Sequence, residues 1–138
     1  MAARLAISID PKADLPSSEQ LVQQICFAVA SGALSEAERL PSVRVLAVDA
    51  GINPNTVGKA WRDLERMGVL DSRPGDGVFV ARGALKRARE ARDAWLSDVL
   101  SRWIDDAQGS GLSRSEIEHC VALALAKRRG WKHMGESA

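Results

Sequence analysis

The chain of 138 residues predicts a mainly α fold with one small β-hairpin. Three observations carry that reading. Two short helical segments, Val43–Ala50 and Pro54–Met67, are joined by a tight turn at Gly51-Ile52-Asn53. Two β-prone runs, Val69–Ser72 and Val78–Val80, flank Arg73-Pro74-Gly75-Asp76-Gly77 and follow directly. A longer helical pattern precedes the pair and two more follow it, each bounded by glycine or serine. Helix, helix, turn, helix and hairpin is the order of a winged helix-turn-helix, here continued by a two-helix C-terminal appendage.

Each element has a local cause. Leu5-Ala6-Ile7-Ser8-Ile9 alternates and reads as a strand or an extended arm, closed by Asp10-Pro11 and Asp14-Leu15-Pro16. Ser17 with Gln20 has capping-box spacing, and Leu21, Ile25 and Val29 form one stripe, so helix 1 is expected from Ser18 to Ser31, ending at Gly32. Ser42 is a natural N-cap for helix 2, which Gly51 closes. Asn53 caps helix 3 and Pro54 takes its first position, where no N–H is needed. On that helix Val57, Ala60, Trp61, Leu64 and Met67 share one face, and Asn55, Thr56, Lys59, Arg62 and Arg66 take the others. The hairpin follows from its glycine-rich tip.

From Gly83 a long amphipathic helix is expected, its stripe running through Leu85, Ala88, Arg92, Trp95, Leu96, Val99, Trp103 and Ile104 until Gly109-Ser110-Gly111 breaks it. Ser113 with Glu116 forms a second capping box, opening a helix with Ile117, Cys120, Val121, Ala124 and Leu125. The end, with Trp131 and His133, reads as a fraying tail. This divides the chain into residues 1–82, an arm with the winged domain, and 83–138, the two-helix region.

The net charge of +1 conceals a segregation. Residues 38–92 hold eleven basic and seven acidic side chains, a net +4, whereas residues 1–37 hold two against four and residues 93–138 six against seven. A polyanion responds to that local excess and not to the sum. In a helix-turn-helix the second helix enters the major groove, which places Asn55, Thr56 and Lys59 where asparagine reads adenine, threonine meets a thymine methyl or a phosphate, and lysine reaches guanine or phosphate. Asn53, at the start of the same helix, belongs to that DNA-facing set. Gly58, in mid-helix, costs about 1 kcal/mol relative to alanine, so a side chain there is expected to collide with DNA or with the wing.

Four stretches together resemble the GntR family of bacterial regulators: 40-LPSVRVLA-47, 51-GINPNTVGKAW-61, 64-LERMGVL-70 and 73-RPGDGVFV-80. The Asn-Pro-Asn-Thr-Val-x-Lys-Ala core is similar to its YtrA-like subfamily. The resemblance implies that Arg44, Asn55, Thr56, Lys59, Arg73 and Gly75 meet double-stranded DNA at a palindromic operator, with repression as the common outcome. The chain departs from the family in carrying Gly58 where arginine is frequent, Asp76 at the wing tip, Ser17-Ser18 at the start of helix 1, and Phe27 at a usually polar position, where an exposed ring would need a cover. Asp76 is expected either to oppose phosphate or to hydrogen-bond within its turn.

About 55 residues follow the wing, too few for the effector domains of other subfamilies and too few to enclose a core alone. Their stripe is expected to bury itself against a second copy, making Leu85, Trp95, Leu96, Val99, Trp103, Ile117, Val121 and Leu125 the dimerisation set. The alternative use of the tryptophans is to line a pocket for an unidentified small-molecule effector. Glu116 and His119, with Cys120 adjacent, would make one corner of a metal site, but a second ligand cluster is missing, so no metal and no cofactor are expected. Cys26 and Cys120 read as buried free thiols. No nucleophile–base spacing and no phosphate-binding loop before a helix point to an enzyme, and neither a signal peptide nor a membrane-spanning run is legible, so a cytoplasmic protein is expected. The contrasting function is a winged-helix protein-interaction module that does not bind DNA.

Overall fold

A computed structural model describes residues 5–128. Five helices and one hairpin follow in order: α1 Ser17–Ser31, α2 Val43–Ala50, α3 Pro54–Arg66, β1 Leu70–Arg73, β2 Gly77–Val80, α4 Ala84–Gly109 and α5 Arg114–Ala126. The expected mainly helical fold with a two-stranded wing is what forms. The described residues form two compact units, 5–93 and 94–128, which part within α4.

The first unit is built on α1, α2 and α3. Leu21, Ile25, Leu46, Val57, Ala60 and Leu64 are fully or almost fully buried, and Trp61 lies in the same core. The turns are set as their residues require. Ser42 Oγ accepts from Val45 N at 3.2 Å, and Asn53 Oδ1 accepts from Asn55 N at 2.8 Å with Pro54 in the first turn. Gly51 ends α2 in the left-handed region, φ 67°, and its N–H returns to the end of the helix.

The start of α1 differs from expectation. Its N-cap is Pro16, and no side chain caps it. With the cap one residue early, Gln20 falls outside the capping-box position, and its amide turns to the N-terminal arm. Gln20 Oε1 accepts from Asp10 N at 2.9 Å, and its Nε2 donates to Asp10 O at 2.8 Å and Leu15 O at 2.7 Å. The arm itself is extended and joins no sheet. Phe27, at the position where an exposed ring would need a cover, is half-buried.

The wing pairs Leu70 with Val80, Asp71 with Phe79, Ser72 with Val78 and Arg73 with Gly77, antiparallel. A pairing not foreseen extends it. Residues 38–40 lie along the other edge of β2 through the bridge Arg39↔Phe79, with Leu40 N donating to Val78 O at 2.8 Å and Val80 N to Glu38 O at 2.9 Å. β2 is thereby an inner strand of the wing. The start of α4 belongs to this unit: Ala84 and Ala88 are buried, Gly83 N donates to Glu36 Oε1 at 3.0 Å, and Arg89 Nε to Ala30 O at 3.3 Å.

The second unit holds the rest of α4 and α5, joined at Gly111, φ 93°. The capping box at Ser113 forms as expected, with Glu116 N donating to Ser113 Oγ at 3.3 Å and Ser113 N to Glu116 Oε1 at 3.2 Å. None of the described residues from 94 to 128 is buried. Cys120 is therefore exposed, contrary to expectation, because the α5 stripe has no cover within the described part of its unit. Cys26 is buried as expected, and burial pushes its thiol up to about 12. No described helix is long and apolar enough to cross a membrane. Trp131 and His133 lie outside the described residues.

Candidate nucleic-acid interface

Amphipathicity decides which face of α3 is available. Val57, Ala60, Trp61 and Leu64 turn into the core, which leaves Asn55, Lys59, Arg62 and Arg66 exposed, with Thr56 and Gly58 half-buried between them. Asn55, Gly58 and Arg62 recur at three- and four-residue spacing and share one stripe of that face. The first turn of α3 also presents backbone N–H groups that an anion would accept. Asn53 is exposed at the cap, but its Oδ1 is committed to Asn55 N, so its side-chain NH2 is the group left for a ligand.

Arg44 stands exposed in the first turn of α2. Among the described residues, Arg44, Lys59 and Arg62 have no carboxylate within 4.0 Å, whereas Arg66 pairs with Asp63 at 2.9 Å. Unpaired cations beside a polar helix start are suited to phosphates and base edges and poorly suited to holding the fold together.

On the wing, Arg73 is exposed at the end of β1. Its Nε lies 3.3 Å from Asp71 Oδ2, and its guanidinium stacks 4.6 Å from the centroid of Phe79. Gly75 has φ 84°, and a Cβ there would have no heavy atom within 4 Å, so the tip is open on its outer side. The turn closes through Asp76 N to Arg73 O at 3.0 Å. The Asp76 backbone thus makes the bond expected of its side chain, whose carboxylate hydrogen-bonds to no described residue.

The collision expected at position 58 is resolved on the protein side. A Cβ built on Gly58 meets Arg62 Nη1 at 3.5 Å, an ordinary contact, and nothing of the wing. Arg39, whose guanidinium lies against Gly77 of the wing, is not among the expected site residues. It counts in the basic excess of residues 38–92, but nothing local marks 38–40 as wing, since a single bridge followed by Pro41 leaves no strand pattern. The expected dimerisation residues fall in two places. Leu85 is half-buried in the first unit. In the second, Trp95 and Ile117 are half-buried, and Leu96, Val99, Trp103, Val121 and Leu125 are exposed, Val99 by 56% and Trp103 by 42%. A cleft of about 400 Å³ in this unit is lined by Ile104, Gln108, Leu112, Arg114, Ile117 and Glu118, with no tryptophan among them. Glu116, His119 and Cys120 are all exposed on α5, and no metal-holding group of three or more such side chains occurs among the described residues.

Residues 13–80 match the family described as bacterial regulatory proteins, gntR family. The chain is similar to the HTH-type transcriptional repressor YtrA of Bacillus subtilis, 32% identical over 126 residues that span 91% of this chain and 97% of the relative. Among solved structures it resembles a transcriptional regulator from Oenococcus oeni, at TM-score 0.68 and 36% identity, covering 87% of this chain and 98% of that one. It also resembles AraR(DBD) in complex with operator ORX1, at TM-score 0.50 and 28% identity, covering 54% of this chain and 95% of that one. The chain is thus a member of the gntR family of bacterial regulatory proteins, of the YtrA-like kind to which its Asn53–Trp61 segment points.

Proposed function

We propose that this protein is a sequence-specific DNA-binding repressor that grips a palindromic operator as a homodimer. The observation that carries the reading is the exposed polar start of α3, on a helix whose opposite face is locked in the core, with Lys59 on the same helix and Arg44 on α2 exposed and without a carboxylate partner among the described residues. The repressor name of the Bacillus subtilis relative and the operator complex of AraR(DBD) support the same role here. Asn55 and Thr56 read base edges in the major groove, Arg44 and Lys59 hold phosphates, and Arg73 with the open Gly75 tip reaches the backbone or the minor groove.

The second unit supports dimerisation. A segment with no buried residue between 94 and 128 gains little by ordering alone, and a second copy of the same stripe supplies the missing apolar cover. Two recognition helices then enter successive major grooves about one turn of DNA apart. For a small-molecule effector, Ile104, Leu112 and Ile117 offer an apolar floor, with the Arg114–Glu118 pair, 2.9 Å apart, beside it.

Footprinting on the DNA upstream of the protein's own coding sequence tests the proposal. The expected result is a protected site with dyad symmetry, bound far more tightly than random duplex. Binding to neither duplex identifies the chain as an interaction module that keeps the fold without the DNA.

A further inference from the structure

Directly opposed residues of an antiparallel pair point to the same face, as do alternate residues along a strand. The register therefore puts Asp71, Phe79 and Arg39 in one row across the wing, with Arg73 and Gly77 in the next row on the same face. The two arginines exchange rows. Arg73 reaches back over the ring of Phe79, 4.6 Å from its centroid. Arg39 reaches forward to Gly77, where a built Cβ would lie 3.0 Å from its Nε and 3.2 Å from its Nη2. The Arg39 guanidinium thus occupies the space of the side chain that Gly77 lacks, directly across the hairpin from Arg73.

That arrangement gathers two permanent cations on one small face. The facing acid is Asp71, and it pairs with Arg73. Glu38 is turned away, its Oε2 accepting from Ser35 N at 2.8 Å. Asp76 pairs with no described cation. Arg39 has no hydrogen bond or ion pair among the described residues. Two arginines and one carboxylate leave the face with a net positive charge, which an anion would balance. Gly77, at φ 121°, suits glycine for its backbone alone, but the turn does not require an arginine to fill the space left there.

We infer that Arg39 is a second phosphate-binding residue of the wing, acting beside Arg73 on the DNA backbone, an inference that rests on the DNA-binding reading above. Neither the family resemblance nor the groove-facing motif points to it, since it enters the wing through the bridge to Phe79.

The test is the salt dependence of binding for the full chain, measured on its upstream DNA and on a random duplex. Each phosphate neutralised contributes about 0.9 to the slope of log K against log salt. Arg39→Gln is expected to melt like the wild type, to lose about 0.9 of that slope on both duplexes, and to keep the preference between them. Arg39→Lys, which retains the charge, is expected to keep the slope. A steep wild-type slope that Arg39→Gln leaves unchanged overturns the inference while the DNA-binding reading stands. Loss of slope in Arg39→Lys as large as in Arg39→Gln overturns it too. A wild-type chain that binds neither duplex removes the DNA-binding reading itself.

Discussion

Gln24 on α1 binds both backbone polar groups of Ser8: its Oε1 accepts from Ser8 N at 3.1 Å, and its Nε2 donates to Ser8 O at 2.6 Å. Gln20, one turn earlier, does the same for Asp10. The spacings match, since four residues of helix rise about 6 Å and two residues of extended chain advance about 6.6 Å. Two glutamines at i and i+4 therefore act as a polar ladder for an arm that has no strand partner, and Leu5, Ile7 and Ile9 are left half-buried.

Gln24→Ala removes two exposed hydrogen bonds, at a cost of about 1 kcal/mol. Amide exchange at Ser8 is expected to accelerate strongly while exchange in the α3 core stays unchanged. Equal protection of Ser8 in both proteins contradicts the ladder.

Gly58→Ala separates folding from binding. The new methyl meets Arg62 at an ordinary 3.5 Å, so the helix gains about 0.5–1 kcal/mol, visible as a rise in melting temperature. If α3 approaches DNA closely at this position, the same variant binds its operator more weakly. A more stable variant with full affinity rules out that close approach.

The legible parts of the sequence were those with local causes. Ser42, Gly51, Asn53-Pro54 and Ser113–Glu116 each satisfy their own helix end, and the structure forms them as read. Ser17–Gln20 has similar spacing but follows Pro16, and that proline takes the cap and leaves Gln20 to a partner ten residues away. Arg39 owes its place in the wing to β2, forty residues later, which no periodicity around position 39 could show. Cys120 differs for another reason. An apolar stripe reads as buried, but it meets a cover within the chain only if the chain supplies one, and Cys120 is exposed.

The dimer proposal gives an opposite expectation for one exposed residue. Val99 is 56% exposed in the single chain, so Val99→Asp costs the isolated fold little. Buried unpaired against a second copy, the carboxylate would cost several kcal/mol. Sedimentation is expected to show a dimer for the wild type and a monomer of unchanged helicity for the variant. A Val99→Asp dimer as tight as the wild type places the interface elsewhere.

Sequence-specific recognition through the first turn of α3 is tested most directly by measuring the affinity ratio between upstream and random duplex for the wild type, Asn55→Ala and Lys59→Ala. Asn55→Ala is expected to lose about 1–3 kcal/mol on the specific site and little on the random one, so the ratio collapses. Lys59→Ala is expected to weaken both and preserve the ratio. An Asn55→Ala protein that loses equal affinity on both duplexes, or none on either, contradicts base reading by this helix.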